Sequence, residues 1–405
     1  MEDMTVTLDG YDFGPVHSSM RRYVDAELIA GASSAVLIGR ELADVHFLGW
    51  ADKEQRAPIR TDSLFRIFSN TKLVTSCAAL LLFEEGHFGL DDPIERYIPQ
   101  LGQRRVLRPG AVSLEDTEPA RGPITIRQLL SHSSGLSYGL LDPGTVIYKG
   151  YSDRKVRDPN STLSEMIDAL EDLPLVFHPG TGWEYSVATD VMARLVEVIS
   201  AQRFDTFIQS RIFDPLGMVD TGFVVPETKR SRLAAYYAGA DLKDPMKPGL
   251  TRLENEPYPE AFLRRFPKLN GGGGLVSSLP DMVALLRSLL PGGSTLLKPE
   301  TISLMMTNQL SDGVWVRFPG IGEFPGTGHG LAGGVIVKPG PLDPKASTGE
   351  LAWGGIAGTQ WWICPAMKLA GLLMTQRFMA SWHPFVFEFK RLVYEVVDRP
   401  CLRVN

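Results

Sequence analysis

Ser69 and Lys72 stand three residues apart, and the segment they open is nearly devoid of charge. On a helix this spacing puts both side chains on one face, one turn apart. A serine hydroxyl attacks poorly unless a base removes its proton. A desolvated lysine is such a base, because burial lowers the pKa of its amine. The residues that follow include Leu73, Val74, Cys77, Ala78, Ala79, Leu80, Leu81, Leu82 and Phe83. They leave no polar stripe, so the helix expected over 72–85 is a buried one, with Gly86 as its C-terminal cap. Ser69 then sits at a helix N-terminus, where the dipole favours developing negative charge.

Spacing alone is weak, and the chain repeats it at Ser152 and Lys155. That copy lies among Gly150, Tyr151, Arg157, Asp158, Pro159 and Asn160, a polar stretch expected to be a surface loop. A third serine, Ser137, sits in Gly135-Leu136-Ser137-Tyr138-Gly139, which fits G-x-S-x-G. That elbow needs a strand before the serine and a helix after it. Residues 126–132 read as helix and turn, and Asp142-Pro143-Gly144 follows at once, so Ser137 is the weaker nucleophile. Tyr138, in this loop, is a candidate for the pocket wall.

Two further segments can complete a serine–lysine site. Tyr185 follows the turn Pro179-Gly180-Thr181-Gly182-Trp183 and precedes a helix. There it is either a base or proton relay, its pKa lowered by nearby cations, or an interfacial tyrosine making one hydrogen bond, and the sequence leaves open which of Lys72 and Tyr185 is the base. Trp353-Gly354-Gly355-Ile356 has glycines in a strand, the mark of close backbone approach or of a bulge. Opposite Ser69, its Ile356 N–H would join the N–H of Ser69 in an oxyanion hole. Ser347-Thr348-Gly349 competes for that role. The seven histidines are scattered. His132 is expected at a helix end bonded to backbone, and His329, between glycines, is either near the site or in a turn. No spacing suggests a metal, and no cofactor is expected.

The 405 residues allow two or three domains or one large two-part enzyme. With 44% hydrophobic and 22% charged residues the chain is ordinary for a soluble protein. A net charge of −6 without a basic run argues against nucleic-acid binding. Cys77, Cys364 and Cys401 are too few for a disulfide framework. Residues 1–5 are acidic, without the basic and apolar regions of a signal peptide, and no stretch reaches membrane-spanning length. The expectation is a cytoplasmic protein with no membrane partner.

Helices are expected over 16–29, 126–130, 163–170, 188–200, 204–212 and 384–397, and from about 280, where Ser278 and Asp281 suggest a capping box. Strands are expected over 34–39, 45–50, 330–338, 351–356, 360–364 and 369–375. This pattern predicts an α/β (α+β) architecture: an antiparallel sheet flanked by helices, formed by 1–70 and 275–405. A mainly helical domain, 71–274, is inserted into it. Turn-rich stretches at 101–123 and 236–274 have the length of functional lids or of surface insertions.

In this order, Ser69-x-x-Lys72, Tyr185-Ser186 after Pro179-Gly180, and the glycine-containing strand resemble the class C β-lactamase and penicillin-binding-protein superfamily. Leu129-Leu130-Ser131-His132-Ser133-Ser134-Gly135-Leu136 and Pro215-Leu216-Gly217-Met218 are similar to two more of its segments. The resemblance runs from about residue 16 to 397 and implies the β-lactamase-like fold, with Ser69, Lys72 and Tyr185 as the catalytic residues. Two departures point to a branch. Val187 stands where lactamases of this superfamily carry Asn, and Trp353-Gly354-Gly355 replaces Lys-Thr-Gly. A tryptophan in place of a cation suits a neutral ester, as in the carboxylesterase branch called family VIII. The implied function is hydrolysis of small neutral esters with short to medium acyl chains through an acyl-enzyme. Acyl transfer to an alcohol or amine, amidase or weak β-lactamase activity, and a non-catalytic penicillin-recognising protein are the alternatives. Tyr138, Tyr148, Tyr258, Phe262, Phe266 and Trp315 are candidate walls of the entrance.

Overall fold

The structure, a computed structural model, describes residues 6–399; Cys401 and residues 1–5 lie outside them. The strands come from both chain ends. β1 (Gly31–Ile38), β2 (Glu41–Asp52) and β3 (Ala57–Pro58) precede the helical region. β4 (Thr327–His329), β5 (Gly334–Ile336), β6 (Leu351–Gly354), β7 (Gln360–Cys364) and β8 (Leu369–Met374) follow it. They form one eight-stranded sheet in the order β4-β5-β6-β7-β8-β1-β2-β3, with antiparallel neighbours.

The central strands are apolar on both faces, as strands covered on two sides must be. Along β1, Ala32 and Val36 join one core while Ala35 and Leu37 join the other. Along β8, Leu369 and Leu373 alternate in the same way with Ala370, Leu372 and Met374. Helices Gly14–Asp25 and Pro384–Asp398 cover the first face. Helix Leu279–Arg287 and the helical region cover the second.

Helix Thr71–Glu84 lies in that second core, with every residue from Thr71 to Leu80 buried. It is apolar all round and has no face to give to water. It ends in a Schellman turn: Gly86, at φ +79°, and His87 donate their N–H groups to Phe83 and Leu82. The strand pair Leu64–Arg66 and Val276–Ser278 ties the start of this helix to the far end of the helical region.

Several expectations shift. The hairpin β1–β2 turns at Gly39 and Arg40, so the turn expected over 40–44 is mostly strand. The strand expected over 330–338 is the β4–β5 hairpin, because 330–333 form its turn. β6 ends at Gly354, which leaves Ile356 in the turn to β7. Helix Phe204–Ile208 continues as a π turn over Gln209–Phe213. Ser278 caps its helix, but Asp281 turns away and accepts the Asp220 N–H and the Thr221 hydroxyl, so the capping box is half formed. The stretches 101–123 and 236–274 each hold a two-stranded pair. Among the described residues, no helix is long and apolar enough to cross a membrane.

Candidate active site

Ser69 lies in a single 3-10 turn, Phe68–Asn70, immediately before the buried helix. Phe68 has φ +41°, a left-handed conformation that costs a non-glycine residue on the order of 1 kcal/mol. It is held there by packing: the Phe68 ring meets Phe262 edge-on at 5.7 Å and Tyr236 at 5.4 Å. The turn thereby aims Ser69 into a cavity of about 460 Å³ that Tyr138, Tyr185, Trp353 and Ile356 also line.

Tyr185 donates its hydroxyl to Ser69 Oγ at 2.6 Å, and Lys72 Nζ approaches the same oxygen at 3.4 Å. Lys72 Nζ donates to the Gly272 carbonyl at 2.6 Å and lies 4.6 Å from the centre of the Tyr185 ring. The expected trio is thus assembled, with Lys72 enclosed at 3% exposure. Burial lowers the Lys72 pKa below the usual lysine value, and nearby Tyr138 and Asp190 offset this only in part. For Tyr185 the expectation of a lowered pKa is corrected. Burial raises its phenol to about 12, outweighing the hydrogen bond with Ser69 and the nearby Trp353 side chain, which pull it down. Trp353 packs on this tyrosine, its ring 5.5 Å from that of Tyr185.

Ile356 is brought to Ser69 by the β6–β7 turn. Gly355 has no room for a Cβ, which would stand 2.7 Å from the Ile67 carbonyl, and Thr359 Oγ1 donates to that carbonyl at 3.4 Å. Among the described residues, neither the Ser69 N–H nor the Ile356 N–H donates to another group. Gly354 lines the cavity; Gly355 acts through close packing instead of facing it. Ser347, Thr348 and Gly349 line no part of it.

The other serines are elsewhere. Ser137 is buried, donates to Glu184 at 3.4 Å and does not line the cavity. Ser152 is exposed on the last turn of helix Val146–Asp153, so the expected loop is a helix end. His132 stands just past the end of helix Ile126–Leu130 and bonds backbone as expected: its Nδ1 accepts the Ser186 N–H at 3.2 Å and lies 2.9 Å from Ser186 Oγ. The His132 ring lies 5.2 Å from Tyr185 and 5.3 Å from His329. Burial keeps both rings neutral, His132 well below the usual value and His329 at about 4.

Sequence reading passed over two parts of the site. Asp190, 4% exposed, accepts the Gly272 N–H at 3.2 Å while the Gly272 carbonyl holds Lys72. A Cβ on Gly272 would stand 3.0 Å from Asp190 and 3.3 Å from Lys72 Nζ, so the run Gly271–Gly274 has a packing reason. That run, outside any strand, was the visible signal. Of the expected aromatic walls, Tyr138, Tyr258 and Phe262 line the cavity; Tyr148, Phe266 and Trp315 do not. Phe68, Tyr236, Phe318, Phe378 and Trp382 line it unannounced, since no local pattern links them. Among the described residues, no cluster of His, Cys, Asp or Glu could hold a metal.

The beta-lactamase family model matches residues 16–383, and the chain belongs to that family. It is 32% identical over 370 residues to esterase EstB of Burkholderia gladioli, covering 88% of this chain and 86% of that one. To acyltransferase CalJ of Penicillium decumbens it is 30% identical over 337 residues, covering 79% and 77%. Its fold superposes on that of EstCE1, a hydrolase with promiscuous acyltransferase activity, with a TM-score of 0.79, 24% identity and 94% and 98% coverage. The chain is a serine hydrolase of this family.

Proposed function

We propose that the protein is a carboxylesterase acting on small neutral esters through an acyl-enzyme on Ser69. The observation that carries this reading is the Ser69 hydroxyl held at 2.6 Å by Tyr185 and 3.4 Å from a buried lysine, inside an aromatic cavity. In this reading the cleft lies between an α/β domain, 1–70 and 275–405, and a helical domain, 71–274.

The pKa directions favour one order of proton transfers. Lys72 is lowered and Tyr185 is raised, so the neutral amine is the base and the phenol keeps its proton. Ser69 Oγ attacks the acyl carbon and its proton passes to Lys72. The N–H groups of Ser69 and Ile356 hold the oxyanion. Tyr185 protonates the departing alkoxide, and the proton on Lys72 restores the phenol. Water then repeats the sequence on the acyl-enzyme. Trp353 offers no charge to a substrate carboxylate, which favours neutral esters over β-lactams. Relatives that include both an esterase and an acyltransferase support the same chemistry with two acceptors.

A second reading, acyl transfer to an alcohol, is favoured by the aromatic mouth, since excluding water protects an acyl-enzyme from hydrolysis. One experiment tests both. Turnover of p-nitrophenyl butanoate is measured beside cephalosporin turnover, with and without millimolar alcohol. The first reading expects ester hydrolysis with β-lactam turnover slower by kcat/KM. A better β-lactam overturns it, and dominant ester product in water replaces it with the second.

A further inference from the structure

Residues 317–323 form a small hairpin over the cleft, Arg317–Phe318 pairing with Gly322–Glu323. Its tip, Ile321, is 52% exposed, while Phe318 turns inward. The Phe318 ring stands 5.7 Å from Tyr185, 6.3 Å from Trp353 and 4.7 Å from Trp382, the last edge-on at 73°. Val316 and Phe324 anchor the hairpin base in the cluster that holds Trp183. Nothing in the proton transfers uses Phe318.

The chemistry says which part of an ester reaches it. The bond from Ser69 Oγ to the acyl carbon forms, and the bond from that carbon to the alkoxy oxygen breaks. The electron pair leaves with that oxygen, and the Tyr185 proton neutralises it. The alkoxy oxygen therefore starts beside the Tyr185 hydroxyl. Its substituent extends along the groups packed around that tyrosine: Trp353, whose ring lies 5.5 Å from that of Tyr185, then Phe318, then the 38% exposed Trp382. Beside Ile356 the cavity has a separate wall, with Phe68, Tyr236, Phe262 and Phe378, open to the acyl chain.

We propose that Phe318 determines leaving-group specificity, seating a flat aromatic ring of the alcohol against Trp353 and Trp382. Arylmethyl esters are then the preferred substrates, and arylmethyl alcohols the preferred acceptors. The proposal rests on the esterase reading of the same site. Rings of this size favour offset or edge-on partners over saturated chains, which gives the seat its selectivity.

Benzyl butanoate and hexyl butanoate give the same acyl-enzyme, so their kcat/KM values differ only through binding and acylation. In the wild type the benzyl ester should lead by about tenfold, and in Phe318→Ala the lead should fall below about twofold. The order of preference among p-nitrophenyl acetate, butanoate and octanoate should stay as in the wild type. A lead missing from the wild type, a lead that survives Phe318→Ala, or a change in acyl preference instead overturns the proposal. Should the wild type cleave no ester, the esterase reading fails on its own. The seat is then read by saturation-transfer NMR of benzyl alcohol. A signal in the wild type that Phe318→Ala removes supports it, and equal signals, or none, overturn it.

Discussion

Ser69–Lys72 and Ser152–Lys155 have the same spacing and opposite surroundings. Lys72 is enclosed, donates to one backbone carbonyl and has a lowered pKa. Ser69 stands before a buried helix, on a turn strained at Phe68, with a tyrosine hydroxyl on its oxygen. Ser152 and Lys155 lie exposed at a helix end, where water solvates both. Ser137 adds a third case. It is more buried than Lys72, at 1% against 3% exposure, yet its neighbour is Glu184 and it faces no cavity. Spacing nominates a pair, burial changes its acidity, and a cavity leaves room for a substrate; of these three serines Ser69 combines them.

The largest effect should come from the serines. Ser69→Ala should lower ester kcat/KM by about a thousandfold or more and abolish fluorophosphonate labelling, because the proposed acyl-enzyme forms on Ser69. Ser152→Ala should stay within about twofold, as exposed substitutions away from a site generally do. Labelling that survives Ser69→Ala and vanishes in Ser152→Ala would invert the comparison.

The lysines come next. Lys72→Ala and Tyr185→Phe should each cost roughly a hundredfold or more, and the double variant little more than the worse single, since groups acting as a unit are non-additive. Lys155→Ala should cost nothing measurable. Additive losses for Lys72 and Tyr185 would mean that the two act separately.

The same contrast explains what could be read without coordinates. The buried helix was legible because its apolar residues leave no face for water, and β7 and β8 because they are short apolar runs between turns. Ser69, Lys72, Tyr185, Trp353 and Ile356 were legible as types at spacings. Asp190 was not, because its partner Gly272 is far away in sequence and meets it only through the fold. Phe318 was hidden for the same reason, in a hairpin too short to carry periodicity. The β4–β5 turn was hidden by its composition, since Gly330–Gly333 is as apolar as a strand. Of the two acidities, that of Lys72 shifts as expected, and that of Tyr185 shifts the other way because its burial outweighs its hydrogen bond with Ser69.

A smaller effect should appear in the pH profile. If Lys72 is the base, only its neutral form works, so kcat/KM should rise with pH through a single limb. Burial lowers that pKa, so the limb should lie below the ordinary 10.5 of lysine. The same shift links to stability. The folded state binds fewer protons at Lys72 than the unfolded state does between the lowered value and 10.5, so stability should rise with pH across that window. Lys155 contributes neither. A profile that falls with pH, or that keeps its limb in Lys72→Ala, would exclude Lys72 as the base.

The smallest effect belongs to Ser137 and tests whether burial alone can arm a serine. Glu184 accepts the Ser137 hydroxyl at 3.4 Å, and burial pushes its carboxyl up from 4.5 to about 7, although Arg317 at 3.8 Å pulls it down. A carboxyl near neutrality beside a serine is the outline of a general base. The geometry denies it a substrate, since Ser137 lines no cavity. Glu184→Gln should therefore leave ester turnover within about twofold. Its signature should be in stability. The folded pKa lies above the unfolded one, so the wild type loses stability as pH rises from 4.5 through 7, where the folded state holds a proton that the unfolded state has released. Glutamine cannot titrate, so the variant's Tm should gain on that of the wild type across that window and match it more closely near pH 4.5. Thermal unfolding of both proteins at a series of pH values measures this. Loss of turnover in Glu184→Gln with an unchanged Tm difference would make Ser137 and Glu184 a working pair and remove the distinction between a buried serine and an armed one.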